Sequence, residues 1–77
     1  EQARKIRRLE KAVADVEREI SDLERRSAEL EAQMNTPEGA AYTSLFAAHN
    51  DLQKALSDAM DRWSKASETL DAAKNES

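Results

Sequence analysis

Apolar side chains in the first half of the chain fall at Ile6, Leu9, Val13, Val16, Ile20, Leu23, Leu30 and Met34. The steps alternate three and four residues, and Ser27 stands at the one place the series leaves open. With Ile6 as position a, the a series is Ile6, Val13, Ile20, Ser27 and Met34, and the d series is Leu9, Val16, Leu23 and Leu30. This is a coiled-coil seam, since a slightly underwound helix keeps a seven-residue apolar repeat facing its partner. The second half repeats the pattern with Tyr42, His49, Leu56, Trp63 and Leu70 in one series and Leu45, Leu52, Ala59, Ala66 and Ala73 in the other.

The helix-breaking residues gather in one place, the stretch NTPEGAA over residues 35–41. Asn35 is suited to the left-handed conformation that ends many helices. Thr36 followed by Pro37 reads as an N-cap with proline at the first helical position, and Gly39 weakens continuation of that turn. A short connection between two equally long helices forces them antiparallel. The fold class predicted is all-α, a two-helix antiparallel coiled-coil hairpin forming a single domain over residues 1–77. Helix 1 is expected over about residues 2–34, the loop over about 35–41 and helix 2 over about 42–74.

Two registers satisfy a opposite d. In one, partner numbers sum to 79, pairing Ile6 with Ala73, Val13 with Ala66, Val16 with Trp63 and Ile20 with Ala59. In the other they sum to 72, pairing Leu9 with Trp63 and Leu30 with Tyr42. The first is preferred because it sets large residues against small ones. It also brings Glu19 opposite Arg62 and Lys5 opposite Glu76. Trp63 then reads as a core residue among alanines, and His49 as a seam residue beside the Ser27 break. Phe46 and Met60, at e positions, either widen the seam or offer a patch to a partner.

Composition removes most catalytic classes. The chain has 77 residues, 36% of them charged, with one glycine, one proline and no cysteine. No disulfide or thiolate metal site is available, no glycine-rich phosphate loop fits, and the single His49 belongs to no helical zinc motif. Glu10, Glu17, Glu24 and Glu31 recur every seven residues on one stripe, which spreads them along a helix instead of converging two carboxyls on one bond. Ser27 has no His and Asp placed to activate it. No catalytic, metal or cofactor-binding residue is assigned. No apolar run is long enough to span a bilayer and no signal-peptide pattern is present. Both ends lie in helical pattern, so the expectation is a piece of a longer, soluble, cytoplasmic protein.

Charge is unevenly spread. The net charge is −4, but residues 1–11 carry five basic against two acidic side chains, a net +3. The other 66 residues carry seven basic against fourteen acidic ones, a net −7. Arg4, Lys11, Arg18 and Arg25 all occupy f positions and line up on the outer face of the first helix, about 10 Å apart. Arg7, Arg8 and Arg26 sit nearby and thicken this stripe at its N-terminal end, and Lys5 belongs to the same basic segment. Such a rod suits a phosphate backbone, so Arg4, Lys5, Arg7, Arg8, Lys11, Arg18 and Arg25 are the candidate nucleic-acid contacts. No aromatic residue interleaves them, so base stacking is not indicated. The simpler reading is a solvated face paired along the helix, for example Asp22 with Arg25 and Arg26.

The assembled string resembles the C-terminal coiled-coil domain of ABC-F ATPases, the soluble, non-transporter ABC proteins that include the Uup-like group. The opening Arg-x-Leu/Ile-x-x-Leu-Glu pattern is matched by Arg4, Ile6, Leu9 and Glu10, and repeated Leu-Glu pairs by Leu23-Glu24 and Leu30-Glu31. Thr36-Pro37-Glu38 is similar to the Asp-Pro-Glu loop. Arg62-Trp63 is similar to the closing Arg-Trp-Glu-x-Leu, although Ser64 and Ala66 replace its Glu and Leu. The resemblance implies two upstream ATP-binding cassettes that hold ATP and Mg, a non-catalytic hairpin after them, and contact with DNA or with ribosomal RNA. Two other readings stand beside it. One is a structural spacer or protein-docking hairpin, expected to be monomeric with weak self-association as a variant. The other is the tRNA-binding coiled-coil arm of an aminoacyl-tRNA synthetase.

Overall fold

The computed structural model describes residues 2–38 and 43–76. Two helices account for nearly all of them: α1, Gln2–Met34, and α2, Thr43–Asn75. They pack side by side as an antiparallel hairpin with principal extents of 57 × 14 × 13 Å. The shape follows from the sequence, since each 33-residue helix rises about 50 Å and has one apolar stripe to bury.

The register is the one in which partner numbers sum to 79. Leu23 and Leu56 are buried together with Ala59, and Ile20, Leu52 and Ala55 pack around them. Ala59 is fully buried, which brings the helix backbones close where Ile20 meets it. At the free end, Gln2 Nε2 donates to the carbonyl of buried Ala73 at 2.8 Å. The g positions close one edge. Lys5 Nζ lies 3.1 Å from Glu76 Oε2, and Arg62 makes a two-pronged pair with Glu19 at 2.8 and 2.9 Å. These are the two cross-helix pairs the preferred register requires, and the alternative sum of 72 would separate both.

The Arg62 hydrogen bond holds the Glu19 carboxyl below its ordinary value of 4.5, against desolvation and with the guanidinium charge adding to it. A lowered folded-state pKa contributes stability above the unfolded value and loses it as pH falls through the folded one. The thermal midpoint of the wild-type hairpin should therefore exceed that of Glu19→Gln at neutral pH. The difference should vanish as pH falls below 4.5. A gap that stayed constant as the carboxyl became fully protonated would show that the Glu19 charge is not its source.

One expectation at the turn needs amendment. No described residue other than glycine has positive φ, so Asn35 does not end α1 in the left-handed conformation. Its N–H instead continues the helical pattern to the Glu31 carbonyl at 3.0 Å. Thr36 then closes the end, its N–H and hydroxyl both donating to the Gln33 carbonyl at 3.2 and 2.7 Å. One carbonyl with two lone pairs accepts both, so one of the terminal carbonyls is satisfied without a left-handed residue. The expectations for Gly39 and for Tyr42 as the first seam residue of helix 2 fall outside the described residues.

Trp63 is the larger correction. It is 39% exposed, not a core residue. Alanines beside it let the helices approach too closely to enclose an indole. The ring lies at the seam's rim, where its Nε1–H donates to Glu17 Oε2 at 3.1 Å. His49 also leans to that rim, with Nε2 3.0 Å from Glu31 Oε1. Between the helices, buried Ser27 accepts from Gln53 Nε2 at 2.9 Å, so the break in the apolar seam is filled by a cross-helix hydrogen bond.

Candidate nucleic-acid interface

The outer face of α1 consists of its b, c and f positions, turned away from α2. At f stand Arg4, Lys11, Arg18 and Arg25; at c stand Arg8, Asp15, Asp22 and Glu29. On a helix, residues three and four apart are neighbours, so each c side chain lies between two f side chains. From residue 11 onward this makes an alternating ladder. Asp15 pairs with Lys11 and with Arg18, both at 2.9 Å. Asp22 pairs with Arg25, and with Arg26 at 3.1 Å, while Glu29 lies 3.5 Å from Arg25.

The charges respond accordingly. The Lys11 hydrogen bond holds the Asp15 carboxyl below the usual carboxylate range, with the Lys11 and Arg18 charges adding to it. The Asp22 hydrogen bond raises Arg25 further into its charged form, and the Asp22 and Glu29 charges reinforce this. Every one of these pairs is exposed, so their worth in stability is small. Their consequence for binding is larger, because an approaching phosphate must compete with a carboxylate already in place.

The first heptad breaks the alternation. Arg8 stands at the c position that Asp15, Asp22 and Glu29 fill later, and Arg7 adds a third guanidinium at b. Arg4 and Arg8 make no ion pair among the described residues. Arg7 gives only its Nε–H, to the Ala3 carbonyl at 3.3 Å, leaving its two terminal nitrogens available. Lys5 faces the α2 side through Glu76. The seven candidate side chains thus divide. Among the described residues, Arg4, Arg7 and Arg8 form a cluster with no carboxylate partner at the hairpin's free end. Lys5, Lys11, Arg18 and Arg25 are each engaged by carboxylates.

The c-position alternation was readable in the sequence. An inventory of basic residues alone misses it, and charge counted by heptad position finds it. α2 presents the opposite sign outward, with Asp51, Asp58, Asp61, Glu68 and Asp71 against Lys54 and Lys65.

Among the described residues, no group of three or more His, Cys, Asp or Glu side chains is gathered to hold a metal ion. No described helix is long and apolar enough to cross a membrane. A family model described as ABC transporter C-terminal domain matches residues 4–68 of the chain. No curated protein and no solved structure matches it.

Proposed function

The chain belongs to the ABC transporter C-terminal domain family, and from that premise we propose that it is a non-catalytic nucleic-acid-binding hairpin of an ABC-F ATPase. The observation that carries this reading is the uncompensated Arg4, Arg7 and Arg8 cluster at the end of a rod whose other outer-face cations are paired. Guanidinium groups fork to phosphate oxygens, so three of them on one surface form a site for a polynucleotide backbone. Lys5 and Lys11 flank it and add attraction. Arg18 and Arg25 contribute mainly through long-range field, screened beyond about 8–10 Å at physiological salt. The partner is DNA or ribosomal RNA, contacted through phosphates without base stacking.

In this proposal ATP and Mg belong to cassettes upstream in the same cytoplasmic protein, and this chain supplies no residue to them. The family match favours this setting over a synthetase arm.

The test is fluorescence anisotropy with labelled duplex DNA, single-stranded DNA and a structured RNA over a salt series. Neutralising three to four phosphates on B-DNA gives a log–log slope of roughly −3 to −4. Affinity should then fall by about a hundredfold between roughly 50 and 200 mM salt. Absence of binding to all three at low salt would refute the reading and leave a spacer or docking hairpin.

A further inference from the structure

The two edges of the hairpin are not alike. The g edge is closed by Lys5–Glu76 and Glu19–Arg62. The other edge, built from the e positions of both helices, has one ion pair, Lys74 with Glu10 at 4.0 Å toward the free end, and beyond it only the contacts of Trp63 and His49 with α1 carboxylates and of Gln53 with Ser27. All the large hydrophobic side chains that are exposed among the described residues lie on it: Phe46 at 46%, Met60 at 48% and Trp63 at 39%. Met60 and Trp63 are three residues apart and adjoin, while Phe46 lies two heptads before Met60 on the same stripe. From α1 the edge is lined by Glu17, Glu24 and Glu31. Glu17 holds the Trp63 indole N–H and Glu31 holds His49, while Glu24 has no partner among the described residues.

We infer that this acidic, apolar edge is a docking groove for a basic amphipathic helix of a protein partner, with Trp63 and Met60 as its anchor. Phe46 to Trp63 spans about 25 Å, the length of a helix of roughly 17 residues. A third helix laid along the two would bury the rings that a two-helix seam cannot enclose. Trp and Met are side chains that interfaces favour, and an indole beside a carboxylate suits a lysine or arginine stacked on its face. The sign of the charge selects the partner. The Glu stripe repels a nucleic acid, so this edge and the Arg4–Arg8 end serve different partners. A second copy fits poorly, since edge-to-edge contact sets like charges together. The outer face of α1, which is basic, carries no large apolar side chain to fill the groove.

The test uses three synthetic 18-residue peptides. One has leucines at i, i+3, i+4 and i+7 spacing with lysine and arginine elsewhere. The second keeps the charges and replaces leucine by serine, and the third keeps the leucines and replaces the cations by glutamate. The emission of Trp63, the chain's single tryptophan, reports occupancy. The first peptide should change it and bind at least about tenfold tighter than either control, the loss typical of removing an interface anchor. Phe46→Ser with Met60→Ser, both at exposed positions the fold tolerates, should cost a similar factor, and so should Glu24→Lys. The following results would overturn the inference. These are equal binding of the leucine and serine peptides, no binding of any peptide, and dimerisation of the free chain with a concentration-dependent Trp63 emission. A Trp63 response to nucleic acid but not to peptide would overturn it too.

Discussion

Replacing Arg4, Arg7 and Arg8 together by glutamine should lower nucleic-acid affinity by about a hundredfold at low salt. The log–log salt slope should shrink by roughly three, one for each phosphate contact removed. The matched variant replaces Lys11, Arg18 and Arg25 by glutamine and removes the same three charges. It should lose less than about tenfold and keep most of its slope. The two variants have the same net charge, so a difference between them cannot come from the field of the whole molecule. It would come from pairing. In the proposed complex phosphates would meet unpaired guanidinium groups at the first heptad and carboxylate-paired cations beyond it, where Asp15, Asp22 and Glu29 would compete. Equal losses in the two variants would mean that the entire stripe acts and that the carboxylate ladder yields to the polyanion.

The second large effect lies in the seam. Leu56→Ala should destabilise the hairpin by about 2–5 kcal/mol, because it empties the centre of the buried cluster of Leu23, Leu56 and Ala59. A two-helix protein has no second layer to collapse into the gap, so most of the helical signal should be lost near room temperature. Ala59→Leu should cost about 1–3 kcal/mol for the opposite reason, by forcing apart backbones that meet at a fully buried methyl group. Met60→Ala, one turn away but half exposed, should cost less than about 1 kcal/mol. Chemical denaturation followed by circular dichroism ranks the three. A Met60 variant as damaged as the Leu56 one would place the core on the wrong side of α2.

Much of this architecture was legible in residue spacing. The three-four alternation from Ile6 to Met34 and its repeat in the second half name the helices and their seam. The single cluster of turn residues fixes their direction. The choice between registers was harder, because a against d is satisfied by both sums. It is settled by residues off the seam, where Lys5 reaches Glu76 and Arg62 reaches Glu19.

Heptad counting assigned Trp63 to the interior and failed, for a physical reason. A position in the repeat says which way a Cα–Cβ bond points, and says nothing of whether the gap between the helices has room for an indole. Ala59 and Ala66 close that gap, so the ring slides to the rim and its N–H takes the Glu17 carboxylate. Asn35 failed for another reason. Two donors of Thr36 satisfy the Gln33 carbonyl, so no left-handed residue is required.

In the candidate interface, the basic residues were legible and their unequal availability was not drawn from them. That required setting Arg8 beside Asp15, Asp22 and Glu29 as members of one position.

A residue-resolved titration of the isotopically labelled hairpin with the nucleic acid it binds most tightly tests this placement most directly. Backbone amide and arginine side-chain resonances of residues 4–11 should shift first and furthest. Those around Arg18 and Arg25 should move little, and those of α2 beyond its C-terminal turn hardly at all. Shifts spread evenly along α1, or centred on the acidic edge around Glu24 and Trp63, would contradict a phosphate site at the uncompensated end.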